Sequence, residues 1–424
     1  ERIEKAGCLE RRSGVDDDVE RARCRLRGRV PCEHDVERAI EIGPDAVIED
    51  LKAAGLRGCG GAGFPTWKKW DICRKAGGDQ HYVVCNADEG EPGTFKDRAL
   101  LNGYIRMIVD GMTICGLTVG ASQGYIYLRH EYEFLRPRLE RRLQRRRDVN
   151  LLGRNILRHH GINFDIEVIM GAGSYVCGEE SALIESMEGK RGIPRIRPPF
   201  PVTNGYRGRP TVVNNVETFA YAAGIIAEGP GFVAHDGSEP CWKLLSISGD
   251  CRSPGIFEVP LGTPFSELLE MAGGMRDGRK LKAVIPGGSS APVIPGDIMM
   301  DVNMDYDSIQ HAGSMLGSGA VIVMDDTNCM VRVLDRISYF YYEESCGQCT
   351  PCREGTGWMH RVIHRIETGK GRPEDLDLLD DVAAKIAGRT ICALGDAAAM
   401  PVASFIKHFR DEFQYHIDHK KCMV

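Results

Sequence analysis

The sequence has no apolar run approaching the roughly 18 residues that cross a bilayer, which argues against a chain inserted directly in a membrane. It also lacks a strong excess of one charge. Against 60 Asp and Glu stand 54 Lys and Arg, a formal net of -6, which argues against a nucleic-acid partner. A secretory signal pattern is missing too, and no internal repeat or low-complexity segment is visible. Without such a signal, sixteen cysteines read as reduced thiols and metal ligands of a cytosolic or matrix compartment, not as a disulfide framework. The chain opens on Glu1 and not on methionine, so a leader ahead of it would be invisible. At 424 residues it is long enough for two to four domains with ample core.

What is present centres on Glu344-Ser-Cys-Gly-Gln-Cys-Thr-Pro-Cys-Arg353. Cys346, Cys349 and Cys352 recur every third residue, so a tight loop entering a helix brings three thiolates to one small volume. Cys392 follows 40 residues after Cys352, far enough for a helix to fold back and close a four-thiolate cage. Four sulfurs at this spacing suit a 4Fe-4S cluster. A structural zinc site is the rival, although zinc ligands more often come as two pairs. Buried free cysteines are the plain alternative, and such clustering exceeds what packing needs.

Residues 1 to 36 are charge-rich, with Cys8, Cys24 and Cys32 at no metal-like spacing, and read as a peripheral arm. From Gly43-Pro44 a short amphipathic helix sets Val47, Ile48 and Leu51 on one face and ends at Gly55. Gly58-Cys-Gly-Gly-Ala-Gly-Phe64 then satisfies GxGxxG. It follows a helix and no acidic residue arrives in a βαβ context, so it is not the dinucleotide fingerprint. Residues without a Cβ still let backbone N–H groups approach a phosphate or a flat ring, and Lys68 and Lys69 add cations. A plain turn is the competing reading. His81 to Asn86 reads as a buried strand delivering Asn86, Asp88, Glu89 and Glu91 at its carboxyl end, where open α/β sheets place ligands. An acidic surface loop is the alternative there.

Ser122 to Glu131 and Phe164 to Met170 are expected to be strands, with a basic helix over Arg136 to Arg147 that faces solvent or a neighbouring protein. His159 and His160 have no nearby ligand partners. The strand ending at Met170 feeds a second glycine turn, Gly171-Ala-Gly-Ser-Tyr-Val-Cys-Gly-Glu-Glu180, and a helix start that favours anionic or polar groups. Arg195, Arg197 and Phe200 offer cations and an aromatic face, and Asn214, Asn215 and Thr218 offer amides and a hydroxyl. Two glycine loops, an acidic loop and an amide motif in one domain converge on a mononucleotide site. Loop-like composition around Gly229 to Pro240 marks a boundary. The strands Lys243 to Gly249, Gly255 to Val259, Ala283 to Ile285 and Ala320 to Met324, with a helix over Phe265 to Ala272, suggest a small β-grasp domain. Val331 to Tyr342 opens a helical region carrying the cysteines. A nucleotide site upstream of a cluster implies electron transfer. Hydride carries two electrons while a cluster accepts one at a time, and a flavin can split the pair.

The motifs at 55–66, 85–94, 171–180 and 344–353 closely resemble the NADH-binding flavoprotein subunit of respiratory complex I, in order, over roughly residues 38 to 415. That resemblance implies an α/β fold with four parts. They are an arm (1–36), a Rossmann-like FMN/NADH domain (37–238), a β-grasp (ubiquitin-like, SLBB) domain (239–328) and a C-terminal helical bundle bearing the iron–sulfur cluster (329–424). It implies FMN held by Gly58, Gly60, Gly61, Gly63, Lys69, Asn86, Asp88, Tyr175, Gly178, Glu179, Asn214, Asn215 and Thr218, with Glu89 and Arg197 in the same binding set. NADH would stack above the flavin beside Phe64, Glu91, Glu180 and Phe200, and Glu180 would repel the 2′-phosphate of NADPH. Phe64, Glu91 and Glu180 are the residues expected to bear on the hydride step. Losing Phe64 or Glu180 should harm NADH use, and losing Cys349 should trap the reduced flavin.

By the same likeness Cys346, Cys349, Cys352 and Cys392 hold the 4Fe-4S cluster. The implied partners are a 2Fe-2S thioredoxin-like subunit and a large iron–sulfur subunit leading to quinone. The implied place is the peripheral arm, on the cytoplasmic side of the inner membrane or in the mitochondrial matrix. Three positions depart from the family's usual residues: Cys59 for Arg, Trp67 for Gly, and Arg197 for Lys, the last keeping charge while changing contact geometry. The arm does not match. The alternative is the diaphorase subunit of a soluble NAD-linked hydrogenase or formate dehydrogenase. Glu91-Pro92-Gly93 followed by Lys96-Asp97-Arg98 looks more like the respiratory form. A zinc-stabilised scaffold without turnover is the reading from a different class.

Overall fold

The computed structural model describes residues 34–232 and 242–424, so the N-terminal arm with its three cysteines and most of the expected interdomain loop lie outside the described residues. The chain enters through α1 (His34–Ala53), which bends at Gly43 (φ 78°), with Pro44 opening its second segment. That second segment is the expected amphipathic helix, with Val47, Ile48 and Leu51 buried. The turn before it is helical as well. Val36 and Ala39 are buried there, so packed structure begins ahead of the expected arm boundary.

The first layer alternates helix and strand: α2 (Thr66–Lys75), β1 (His81–Ala87), α3 (Lys96–Gly103), α4 (Ile105–Val119), β2 (Ala121–Leu128), α5 (Arg136–Asp148), β3 (Asp165–Met170), α6 (Glu180–Met187), β4 (Thr211–Asn215) and α7 (Val216–Glu228). The four strands pair in parallel in the order β3-β2-β1-β4. Strand alternation divides their side chains between two cores. Val83, Cys85, Ala87, Ile126, Leu128 and Val212 join α1, α4 and α7 on one face. Val84, Tyr127 and Val213 face α6 and the C-terminal helices on the other. Both faces of the central strand β1 are therefore covered, which suits its apolar run Val83-Val84-Cys85. Each fully buried aliphatic side chain of the Leu51 kind contributes roughly 1.5–3 kcal/mol.

β2 stops at Leu128, short of the expected Glu131. Arg129 is drawn to the Glu131 carboxylate (2.6 Å), and the chain tightens into a 3-10 turn at His130–Leu135. The basic helix α5 is only partly solvated. Leu139 and Leu143 are buried as expected, while Arg146 turns inward onto Asp110, and Arg147 pairs with Asp165 (2.9 Å).

The second domain is a five-stranded mixed sheet of β5 (Trp242–Gly249), β6 (Gly255–Pro260), β7 (Leu281–Ile285), β8 (Ile294–Pro295) and β9 (Ala320–Asp325), in the order β6-β5-β9-β7-β8, with helix α8 (Phe265–Met271). Its own core joins Leu245, Ile247, Phe265, Leu268, Val284, Val321 and Val323. β8, two residues long, has too little pattern to be seen in the sequence. The C-terminal helices α9 (Met330–Glu343), α10 (Thr350–Glu367), α11 (Asp375–Ile386) and α12 (Leu394–His419) pack on one another as a bundle. Their core is continuous with the back of the parallel sheet.

Candidate active site

Strand order sets the place of the site. Moving outward from β1, the chain fills β2 and β3 on one side and then crosses to β4 on the other. The crevice outside the carboxyl ends of β1 and β4 is thus a topological switch point, where open α/β sheets take ligands. Asn86 pairs with Asn215 in register there, and Cys85 with Asn214. Asn86, Asn214, Asn215, Thr218 and the first glycine loop meet around this point.

The first glycine loop lies against the start of α7. A Cβ at Gly60 would come 3.2 Å from the Asn215 Cβ, and Gly61 (φ 130°) and Gly63 (φ 61°) need left-handed backbone. The Cys59 N–H donates to Thr218 Oγ1 (2.9 Å), so Thr218 props the loop from below. Cys59 itself is buried, and burial pushes its thiol up to about 12. Trp67, the bulky departure, packs on the core with the Lys52 ammonium 5.5 Å above its ring. Phe64, Phe200 and Lys68 are exposed.

The amides of the switch point are held rigidly. Trp70 Nε1 donates to Asn214 Oδ1 (3.0 Å), and Asn86 Nδ2 donates to the Gly178 carbonyl (2.9 Å). Asn215 caps α7 by accepting from the Glu217 N–H (3.0 Å), accepts from Lys96 Nζ (3.2 Å) and donates to Asp97 Oδ2 (2.6 Å). Behind it, Lys96 Nζ meets Asp97 (2.7 Å) and Glu217 (2.9 Å), and Lys243 reaches Glu217 from β5 (3.3 Å). All four charged groups are almost wholly buried. Burial opposes the Glu217 charge, yet Lys243 and Lys96 hold its carboxyl below the usual range. Nothing in the sequence pattern singles out this network. An opposed set of charges spread over 147 positions has no local signature.

Asp88 is nearly buried, and its Oδ2 has no hydrogen-bond partner among the described residues. Burial pushes its carboxyl up to about 7, with Glu131 and Glu344 adding to the effect and Arg129 opposing it. An acceptor left open beside Gly178, with Asn86 and the Gly60 cradle across from it, suits the hydroxyls of a sugar-like chain next to a flat ring. These residues fit FMN.

Glu89 does not share in that opening. Its oxygens accept from the N–H groups of Asp97 (2.7 Å) and Arg98 (3.2 Å), at the start of α3, and from Tyr132 OH (2.9 Å), so it anchors the acidic loop instead of facing a ligand. Glu91 accepts from Tyr175 OH (2.7 Å) and from the Ser290 N–H (2.8 Å), tying the loop to the β-grasp domain, and burial raises its pKa. Glu179 caps α6, accepting from Ser181 and Ala182 N–H groups, and pairs with Arg197 (3.2 Å). Glu180 is a quarter exposed or less and pairs with Lys69 (3.2 Å). Arg195 is absorbed by Glu185 and Glu188 (3.0 Å), so it is not free to meet a phosphate. A cavity of about 330 Å³ opens at the opposite, amino end of β2, beside Gly116, Gly120 and Ile162. Its lining has no ionisable group to orient a charged cofactor.

The cysteine loop sits next to the second glycine turn. The Tyr175 N–H donates to Glu344 Oε2 (2.9 Å), and Arg191 donates to the Cys346 carbonyl (2.7 Å). Gly347 (φ 77°) turns the loop, Cys349 stands at the N-cap position of α10, and Cys352 lies in its first turn. Cys392 comes from the connection between α11 and α12. Burial pushes Cys352 and Cys392 up to about 11, with the sulfur of Cys346 adding to it in both. Four-coordinate zinc, with bonds of about 2.3 Å, holds its sulfurs roughly 3.8 Å apart. Among the described residues, the group whose ligand atoms all lie within 4.8 Å of one another is elsewhere, at Cys329, His416 and Cys422. The donors brought together here are all sulfur, with Cys346 and Cys352 near enough to Cys392 for their charges to act on it, a set that suits an iron–sulfur cluster.

Comparison with known proteins agrees with this geometry. Residues 51–223 match the family model of the Nuo51 FMN-binding domain, 332–416 that of the NADH-ubiquinone oxidoreductase-F iron-sulfur binding region, and 245–294 that of the SLBB domain. The chain is 47% identical to an F-type subunit of the NADH-quinone oxidoreductase of Rhizobium meliloti over 90% of its length and 91% of the relative's. It is 46% identical to the F-type subunit of Streptomyces coelicolor over 91% and 86%. Among solved structures, the NAD+-reducing [NiFe]-hydrogenase in its H2-reduced state superposes with a TM-score of 0.86 at 36% identity, over 94% of this chain and 67% of that one. With the switch-point cleft and the cysteine loop side by side, the chain belongs to the F-type family of NADH-quinone oxidoreductase subunits, with an FMN-binding domain and a 4Fe-4S region.

Proposed function

We propose that this chain is the electron-input subunit of an NADH:quinone oxidoreductase, binding NADH over FMN at the β1/β4 switch point. The observation that carries the reading is the direct bonding of the cleft to the cysteine loop, through Tyr175 to Glu344 and Arg191 to Cys346. Bound FMN would accept hydride from NADH and release its electrons singly to the 4Fe-4S cluster.

The chain's own part is positioning. Gly60, Gly61 and Gly63 admit the flat ring, Asp88 and Asn86 hold its side chain, and Asn215 and Thr218 fix the cradle. Phe64 and Phe200, both exposed, supply aromatic faces for the bases of NADH. Glu180, steadied by Lys69, disfavours a 2′-phosphate. Cys346, Cys349, Cys352 and Cys392 would hold the cluster, which would supply one-electron transfer toward a 2Fe-2S thioredoxin-like subunit and a large iron–sulfur subunit. Among the described residues no helix is long and apolar enough to cross a membrane. We place the chain in a peripheral arm, on the cytoplasmic side of the inner membrane or in the mitochondrial matrix.

The second reading, a diaphorase subunit of a soluble NAD-linked hydrogenase, is favoured by the superposition at TM-score 0.86. Higher identity to the F-type relatives, 46–47% against 36%, supports the first. An anaerobic titration tests the assignment. NADH should bleach the flavin band of the purified protein and reduce the cluster, and NADPH should do neither. A colourless chain that stays so after reconstitution with FMN, iron and sulfide would overturn it.

A further inference from the structure

A second ligand set lies at the far end of the helical bundle, away from Cys346, Cys349, Cys352 and Cys392. Cys329 precedes α9 as its N-cap, His416 sits in the last turns of α12, and Cys422 follows that helix. One sulfur from each cysteine and one ring nitrogen of the histidine lie within 4.8 Å of one another. Cys329 and His416 are buried, His416 completely, while Cys422 is half-buried. The Cys329 Sγ to His416 Nε2 distance is 3.4 Å. Bonds of about 2.3 Å to sulfur and 2.0–2.1 Å to nitrogen, at a tetrahedral angle, put those two atoms roughly 3.5 Å apart. Little movement is needed to seat an ion.

The surroundings have the features that support metal-bound thiolates and imidazoles. The other ring nitrogen, Nδ1, lies 3.7 Å from Glu367 Oε2, and Glu367 is itself fixed by Arg332 Nε on its second oxygen (2.9 Å). His416 Nδ1 has no hydrogen-bond partner among the described residues, and a small approach of this carboxylate would set the tautomer and strengthen the ring's basicity toward a metal. The Cys329 sulfur accepts the Arg332 N–H (3.4 Å) at the start of α9, and the Cys422 sulfur accepts the Val424 N–H (3.4 Å). Both contacts aim a backbone N–H at sulfur, as is common around ligating thiolates.

We propose that Cys329, His416 and Cys422 bind one Zn²⁺, with Glu367 orienting the histidine and water in the fourth position. Two thiolates with one imidazole are a zinc set, and the ion would clasp the last residues of the chain to the first turn of α9. The spacing marks this as a site separate from the iron–sulfur loop.

The test uses the intact holoprotein, incubated with one equivalent of zinc chloride and then dialysed against a mild chelator. Metal analysis should give one zinc per chain above the iron of the cluster. Absorption fine structure at the zinc edge should show two sulfurs with two lighter ligands. His416→Ala and Cys422→Ser should each lose that zinc while keeping the iron and flavin of the parent. Because the buried His416 variant is liable to misfold, the half-buried Cys422 variant and the zinc-edge spectrum of the unmodified protein each stand as an independent readout. A shell of four sulfurs, meaning zinc lodged in the cluster cysteines, would overturn the proposal. So would failure to retain zinc, or a Cys329–Cys422 disulfide in the native protein.

Discussion

Replacing Lys96 by methionine removes the cation at the centre of the switch point while nearly preserving side-chain volume. In the folded protein its ammonium is 2.7 Å from Asp97, 2.9 Å from Glu217 and 3.2 Å from Asn215, with almost no solvent exposure. Asp97 and Glu217 would keep their burial and lose a counter-charge. Breaking a buried pair in this way costs roughly 3–5 kcal/mol. The lower end applies here, since Lys243 still meets Glu217 at 3.3 Å and Asn215 still donates to Asp97 at 2.6 Å. Asn215 also loses a donor that fixes its side chain beside the Gly60 loop. A further loss of about 1.4 kcal/mol in cofactor positioning would appear as a tenfold weaker FMN.

Urea titration followed by Trp emission reports the first effect, because Trp70 is buried and bonded to Asn214. FMN release on dilution reports the second. Glu217→Gln alone should destabilise as well, leaving Lys96 and Lys243 short of an anion. The double variant removes one charge of each sign. It should be less damaged than the sum of the two single changes by roughly 1–3 kcal/mol, within the range for residues in contact. Additive losses, or a Lys96→Met protein that unfolds and holds FMN like the parent, would refute the view that this network positions the site.

Gly60→Val should leave the chain folded but weaken FMN at least tenfold, since even a Cβ would stand 3.2 Å from Asn215, and overpacking costs about 1–3 kcal/mol; equilibrium dialysis checks it. Asp88→Asn should flatten the pH dependence of the FMN-free protein. The folded pKa of about 7 lies above the unfolded value of 3.8, so the folded state keeps a proton that the unfolded chain releases, and stability falls as pH rises from about 4 to 7. That share is at most about 4 kcal/mol and is absent from the Asn variant, as urea midpoints at pH 5 and pH 8, roughly spanning the window, would show. Glu180→Gln should narrow the preference for NADH over NADPH by about tenfold in kcat/KM, leaving flavin content unchanged. An unaltered ratio would remove Glu180 from the selectivity argument.

Much of the fold was legible because its signals are local. An apolar run marked β1, while β2 and β3 showed as β-branched and aromatic stretches, the alternating segments of the β-grasp sheet were found nearly to the residue, and glycine turns stood at the strand ends. The cysteine triple announced its chemistry through spacing alone. The misses have physical causes as well. The strand ending expected at Glu131 ran past its true end, because a charge pair two residues apart folds the backbone into a turn. β8 was too short to show a period, and Glu89 looked like a ligand because a carboxylate on a polar loop does not reveal which donors it will meet.

By itself the sequence determined which chemistries were available: four cysteines for a cluster, glycine loops for a flat cofactor, and carboxylates and amides for its polar side chain. These depend on residue type and near spacing, which the chain carries directly. Tertiary structure alone decided who meets whom. It set Asp88 open and Glu89 closed, joined Lys96, Glu217 and Lys243 beneath Asn215, and bonded Tyr175 to Glu344 so that the cleft touches the cysteine loop. It also brought Cys329 to His416, 87 positions away. Such pairings arise when packing of apolar faces fixes distant elements against one another. The polar groups carried along are then desolvated and must find partners across the fold.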